Sequence, residues 1–403
     1  IIEELEQLGL SGLDNSPISL HANKMYLSRY FQYEQFIAKR LIKFNKNSPA
    51  FDYDAMSSII NKHSSSAHDI NWQDIAMLQA LTRQLTIITG GPGTGKTVTI
   101  AGITDLLITV ADPPLRIELA APTGKAAERL SQAIAENSKT QLDVKTIHRL
   151  LGISPDGSHF KYNQFQSLPC DVVIIDEASM IGLNLMYRLL SALTEDCRLI
   201  LVGDPDQLPS VEIGNVLTDL CSQPAGYSKD FCDYAKNLLG IDLPVNKTLN
   251  PLNNALCRLR TSHRFSHNRG IGSLANHIKD RNPTLPQNDD SISIYKISTL
   301  LNEDGNANLL DEFKDYLSHL KNGEKDPVIL LQIFEKTRLL TPLREAPLGV
   351  EDINKRVEAE LERLGLKTAS DTFYHGRPIL ITRNDYNKDL YNGDVGICVG
   401  AEN

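Results

Sequence analysis

A chain of 403 residues with 41% apolar and 23% charged residues has ordinary globular composition and is too long for one compact core, so two or three domains are expected. Its net charge of −9 argues against a protein whose whole surface grips nucleic acid, since phosphate contacts need basic surfaces; any such grip is local. No apolar run approaches the roughly 18 residues of a membrane span, and no membrane role is expected. Cys170, Cys197, Cys221, Cys232, Cys257 and Cys398 are scattered without a CxxC pair. They predict neither a disulfide framework nor a zinc site, but reduced thiols in a cytoplasmic protein.

The chain begins at Ile1 with IIEELEQLGL, which alternates acids and aliphatics where a secretory signal would carry a basic start and a long apolar stretch. A fragment of a longer protein is expected. A helical pattern follows through Tyr33, Phe36, Ile37, Arg40, Leu41 and Ile42, then a polar stretch from Asn61 to His68. Together they predict a small accessory domain over residues 1–70.

From there, short β-branched runs alternate with helix-length segments: Leu85 to Thr89, Ile117 to Ala121, Val172 to Asp176 and Leu199 to Asp204. Continuous apolar runs of this length predict buried parallel strands in a doubly wound α/β sheet, here a first domain over 71–262. Residues 222–252 are Pro- and Asn-containing, with a helical patch, and predict an insertion at the sheet edge. A second α/β pattern occupies 263–403. It has a helix near Leu330, a strand at Arg338 to Thr341, a helix from about Val350, and a hairpin of Ile379 to Thr382 against Val395 to Val399. Asn392, Gly393 and Asp394 supply its turn. The sequence stops directly after that strand, so this second domain is expected to be incomplete.

GGPGTGKT, that is Gly90, Gly91, Pro92, Gly93, Thr94, Gly95, Lys96 and Thr97, matches the phosphate-binding loop and lies between a strand and an apolar helix, as that loop requires. The glycines let backbone amides wrap phosphates. Lys96 is suited to the β and γ phosphates of ATP and the Thr97 hydroxyl to Mg²⁺, with the helix N-terminus adding its dipole. DVVIIDEAS ends in Asp176 and Glu177, one acid for the metal through its water shell and one to accept the proton of an attacking water. VGDPDQLPS places Gln207 beside the γ-phosphate if its strand neighbours the other two. APTGKAAERL puts Thr123, the Gly124 amide and Lys125 at a helix N-terminus, where they serve either as a plain cap or as a holder for a phosphate of a polymer.

These elements, with NWQDIAMLQAL before the loop, TIHRLLG, GDPDQLPSVEIGNVL, SHRF, TPLREAPLGVEDIN and GRPILITRND with YNGDVGI, resemble the RecD branch of the superfamily 1B helicases, the alpha subunits of exodeoxyribonuclease V. The resemblance covers nearly the whole chain. It implies a P-loop NTPase with RecA-like parallel-sheet domains and a small N-terminal region that docks on partners. By the same resemblance Gln73 contacts adenine, Lys96 and Thr97 bind triphosphate and metal, and Asp176 and Glu177 run hydrolysis. Gln207 couples phosphate state to movement, Arg264 is an arginine finger, and Thr123, Lys125 and His148 face the DNA strand.

The resemblance further implies ATP and Mg²⁺ as cofactors and 5′ to 3′ movement on single-stranded DNA. RecB- and RecC-like subunits are the implied partners, and double-strand-break repair and recombination the setting. Two further helicase motifs that follow YNGDVGI in the family are not in this sequence. His263 and His267 stand four apart, but without further ligands they predict no metal site. The alternative is a P-loop ATPase that works as a switch or loader without translocating. An interaction subunit with a merely structural nucleotide is disfavoured, because it has no use for Glu177 as a base.

Overall fold

The computed structural model describes residues 16–22, 24–46, 70–138, 140, 142–154, 157, 159–222, 226–246, 250–262, 270–282, 284, 292, 311–368, 372–382, 388, 390 and 393–400. The polar stretch from Asn61 to His68, the segment holding His263, Arg264 and His267, and Asn392 lie outside them. The chain divides into two compact units, Ile1–Gln287 and Asn288–Asn403.

In the first unit a hairpin of β1 (Ile18–His21) and β2 (Lys24–Leu27) leads into helix α1 (Ser28–Phe44). The predicted helical face is the one that packs: Ile37, Leu41 and Phe44 are buried, and the Tyr33 ring stacks on Tyr187 at 4.2 Å. Helix α2 (Trp72–Thr82) starts at Asn71, whose side chain accepts from the Gln73 N–H, and is buried on every side from Asp74 to Leu81. The remaining elements alternate: β3 (Leu85–Thr89), α3 (Lys96–Val110), β4 (Ile117–Ala121), α4 (Gly124–Asn137), β5 (Val144–Thr146), the short α5 (Ile147–Leu150), β6 (Val172–Ile175), α6 (Leu183–Ala192), β7 (Arg198–Gly203), α7 (Val216–Cys221), α8 (Lys229–Leu239), β8 (Leu256–Arg258) and α9 (Gly270–Lys279).

Six of these strands form one parallel sheet in the order β5-β4-β6-β7-β3-β8. The apolar runs are continuous because each strand feeds two cores, alternating with the period of the pleat. Val173, Ile175, Leu199 and Leu201 point to the side covered by α1 and α6. Val172, Ile174, Ile200 and Val202 point to the side covered by α2, α3, α4 and α8. The segment read as an edge insertion is therefore part of the second core, through Tyr227, Phe231, Ala235 and Leu238 of α8 and its approach.

The division between units falls later than residue 263, where the sequence pattern turns. Helix α9 belongs to the first unit, and Lys279 Nζ at its end lies 2.6 Å from Asp206 Oδ2 on the loop after β7. Residues 16–46 likewise belong to the first unit rather than forming a unit of their own.

In the second unit, α10 (Lys314–Lys321), α11 (Pro327–Phe334) and α12 (Val350–Arg363) accompany an antiparallel pair, β9 (Pro378–Leu380) with β10 (Val395–Ile397). Tyr316, Leu320 and Leu330 centre its small core. The predicted strand at Arg338–Thr341 is not one. Those residues carry no strand assignment, and Leu340 is 88% exposed; without a ladder partner an extended apolar segment remains irregular chain.

Candidate active site

The ends of β3, β6 and β7 converge because β7 lies between the other two, with Thr89 paired to Gly203 and Ile175 to Leu201. Loops leaving the carboxyl ends of adjacent parallel strands are where doubly wound sheets place their ligands. The condition set for Gln207, a strand neighbouring both others, is met.

From β3 the chain turns through Gly90 to Gly95 into α3, with Gly93 and Gly95 at φ +75° and +82°. A side chain at Gly95 would be strained and would also collide with the Gln73 amide, which donates from Nε2 to the Thr94 carbonyl at 3.3 Å. Gln73 thus rests on the loop backbone. Lys96 Nζ donates to the Gly90 carbonyl at 2.7 Å and to that of Gly91 at 3.1 Å. Thr97, second residue of α3, is half-buried beside it.

Asp176 follows β6 and is 8% exposed, its Oδ1 accepting from the Glu177 N–H at 2.8 Å. Burial pushes its carboxyl up to about 6; the neighbouring Glu177 charge also raises it, and Lys96 and the Glu177 N–H bond oppose the rise. Glu177 sits at φ +50°, ψ +39°, a left-handed conformation costing a non-glycine residue roughly 1 kcal/mol. Its Oε2 and the Ser179 Oγ are buried without a hydrogen-bond partner among the described residues.

The loop after β7 wraps this turn. A Cβ on Gly203 would stand 3.1 Å from the Ser179 nitrogen and 2.6 Å from Leu217 Cδ2, so only glycine permits that approach. Asp204 is 2% exposed. Its carboxylate accepts from the Asp206 N–H at 3.1 Å and from Gln207 Nε2 at 3.2 Å. By its letter alone Asp204 reads as a turn residue. Two further neighbours also went unread: Ser262 Oγ donates to the Pro92 carbonyl at 3.1 Å, and the Arg260 guanidinium lies 4.4 Å over the Trp72 ring, next to Gln73. A loop contact and a cation–π stack leave no spacing signature.

Thr123, Lys125 and His148 gather elsewhere, at the edge of the sheet formed by β4 and β5. Ala121 pairs with Thr146, so Thr123 and His148 each lie two residues past a matched pair. Thr123 caps α4, its hydroxyl accepting from the Ala126 N–H at 3.2 Å, and Lys125 is half-buried. The His148 ring is 6.0 Å from Phe160, and burial holds its pKa below the usual value. Among the described residues no group of three or more His, Cys, Asp or Glu is placed to hold a metal, and no helix is long and apolar enough to cross a membrane.

A nucleotide with Mg²⁺ fits these residues. Among the described residues the Lys96 ammonium hydrogen-bonds to loop carbonyls, Asp176 is a buried carboxylate whose pKa burial raises, and Glu177 carries an oxygen without a hydrogen-bond partner. A hard dication asks for little more protein than one carboxylate and one hydroxyl when phosphate oxygens complete its shell.

The chain is similar to known proteins over most of its length. A family model described as an AAA domain matches residues 73–212, from Gln73 past Gln207. The RecBCD enzyme subunit RecD of Haemophilus influenzae is 33% identical over 95% of this chain and 67% of its own length. That of Mycolicibacterium smegmatis is 34% identical over 98% of this chain and 69% of its own. The chain belongs to the RecD family. The ATP-dependent RecD2 DNA helicase of Deinococcus radiodurans is also similar, at 28% identity over 80% of this chain and 37% of its own length. Membership in the RecD family accounts for the helicase-type order of the phosphate loop, acid pair and glutamine loop on one parallel sheet, a RecA-like P-loop fold.

Proposed function

We propose that this chain is the ATP-hydrolysing motor of a DNA helicase acting in recombination and repair, working on single-stranded DNA. The observation that carries the proposal is the meeting of Lys96, the Asp176–Glu177 pair and Gln207 at three adjacent strand ends, where burial holds Asp176 toward its protonated form and Glu177 Oε2 has no hydrogen-bond partner among the described residues. Lys96 exchanges its loop carbonyls for β and γ phosphate oxygens. Thr97 and Asp176 hold Mg²⁺, and Gly95 and the α3 N-terminus supply amides and dipole to the phosphates. Bound MgATP supplies a phosphoryl group whose charge the metal helps to neutralise. Glu177 accepts the proton of the attacking water.

At the other edge of the sheet, Thr123, Lys125 and His148 face the DNA strand, with His148 neutral near pH 7. Arg264 is the arginine finger, and Gln73 contacts adenine while bracing the loop. Polarity is 5′ to 3′, the partners are RecB- and RecC-like subunits, and the setting is the cytoplasm; the name of the relatives above, RecBCD enzyme subunit, supports the partners, and the other two rest on the resemblance of the motifs.

Steady-state ATP hydrolysis by the full chain, with and without a single-stranded oligonucleotide, tests the proposal beside Lys96→Ala and Glu177→Gln. Turnover stimulated severalfold by the oligonucleotide and lost in both variants is expected. Turnover indifferent to the oligonucleotide would favour a switch or loader instead and withdraw the strand-facing roles of Thr123, Lys125 and His148.

A further inference from the structure

The two ends of the Gln207 amide are chemical opposites: Nε2 donates hydrogen bonds and Oε1 accepts them. A phosphate oxygen needs the donor, whereas the hydrogens of a water molecule need the acceptor. Which end the site receives depends on what holds the other, and the structure supplies that holder. Asp204, 2% exposed at the end of β7, presents only acceptor oxygens. Oδ1 takes the Asp206 N–H at 3.1 Å and Oδ2 takes Gln207 Nε2 at 3.2 Å, while its main-chain carbonyl takes the Gln207 N–H at 3.2 Å. Turning the amide over would set Oε1 against Oδ2, two acceptors without a proton between them. The loop that carries the pair is fastened at its far side, where Thr218 Oγ1 donates to the Pro205 carbonyl at 3.2 Å and Lys279 reaches Asp206.

We propose that Asp204 is a positioning residue that anchors the nitrogen end of Gln207, so that Gln207 offers its carbonyl oxygen to the attacking water rather than its amide nitrogen to the γ-phosphate. The inference rests on the hydrolytic reading above and deepens it. Asp204 acts only through Gln207. An interaction that orients water is made in the transition state and adds nothing to ground-state nucleotide binding, so its loss lowers kcat and leaves KM in place.

The test is steady-state ATP hydrolysis by the full chain at saturating single-stranded oligonucleotide, with the dissociation constant of the fluorescent nucleotide mant-ADP measured alongside. Asp204→Asn keeps the shape and the acceptor for the Asp206 N–H but lets the Gln207 amide turn either way. Its kcat is expected to fall about tenfold, with KM and mant-ADP affinity within about twofold of wild type. Gln207→Glu is at an exposed position and is safe for folding. It sets two carboxylates face to face, and its activity is expected to be low at pH 8 and to recover severalfold toward pH 6, where a shared proton restores the donor. Combining it with Asp204→Asn, whose amide now donates in the reverse direction, should recover activity at pH 8 over Gln207→Glu alone.

Wild-type kcat in Asp204→Asn, a pH profile of Gln207→Glu parallel to wild type, or a combined variant no better than Gln207→Glu would each overturn the proposal while the hydrolytic reading stands. A wild-type chain without turnover would overturn both.

Discussion

Replacing Asp176 by Asn should stabilise the metal-free protein, and by an amount that depends on pH in a defined way. The substitution keeps the shape and the acceptor for the Glu177 N–H but removes a charge that burial disfavours. The folded-state pKa is raised from 3.8 to about 6, so the folded chain holds this proton more tightly than the unfolded one. The corresponding stability is fully present below about 3.8 and is lost as pH rises through about 6. A shift of about two units is worth about 3 kcal/mol once the carboxyl is ionised. For a unit of this size that is a rise of roughly 6 °C in Tm for the variant above pH 7, shrinking to nothing near pH 4. Trp72 is the chain's one tryptophan and lies in the first unit, so its fluorescence reports the relevant transition in heat or urea. Adding Mg²⁺ with a nucleotide should raise the wild-type midpoint more than the variant's, because a dication beside Asp176 favours the ionised form. A difference between the two proteins that stays constant from pH 4 to pH 8 would refute the electrostatic account of this carboxyl.

The other expectations concern local structure. Glu177→Gly relieves the left-handed backbone at φ +50°; it should abolish ATP turnover while leaving urea stability unchanged or higher by up to about 1 kcal/mol, and a loss of stability would show that the strain is not there. Arg198 is buried and donates from Nη1 to the carbonyls of Ala80 and Leu81 at 3.1 and 2.5 Å, at the end of α2. Arg198→Met should therefore lower stability by about 2 kcal/mol, read as a lower urea midpoint at unchanged slope. Thr123→Ala removes the α4 cap, at a cost of about 1 kcal/mol. With Lys125→Ala it should also weaken single-strand binding and reduce its dependence on salt, measured by oligonucleotide anisotropy; unchanged binding would leave Thr123 as a cap and nothing more.

The central sheet was legible because buried parallel strands announce themselves as unbroken apolar runs, and β3, β4, β6 and β7 fell where those runs lie. The phosphate loop was legible because its chemistry fixes residue type and spacing together. Two kinds of feature were not. Leu339 and Leu340 read as strand by composition, but a strand exists only through a neighbour, and neighbours are set by tertiary structure. The placing of α8 in the core was hidden by the polar residues around it, since Tyr227, Phe231 and Ala235 bury one face of a segment whose average is hydrophilic. Asp204 was hidden in the same way: a turn-forming Asp and a buried anchor for Gln207 have the same letter, and only its burial and partners distinguish them.

Buried side-chain atoms without a hydrogen-bond partner among the described residues occur at several places in the first unit, Gln79 Oε1, Gln84 Oε1 and Thr86 Oγ1 among them, but one place combines misfits of different kinds. Elsewhere the misfit is of one kind, as where Gln84 Nε2 reaches the Cys197 carbonyl at 3.0 Å while its Oε1 stays unpartnered among the described residues. At the ends of β3, β6 and β7, by contrast, an ammonium settles for two carbonyls, a buried carboxyl is held toward its protonated form, and a glutamate adopts a glycine's backbone with one oxygen unpartnered. The left-handed Glu177 backbone and the raised Asp176 carboxyl each cost about 1 to 3 kcal/mol. A polyanion with a dication would answer the side-chain misfits together, by drawing Lys96 off the carbonyls, ionising Asp176 and giving Glu177 a water to hold. Local rules of several kinds broken together at one place mark the point at which stability has been given over to chemistry.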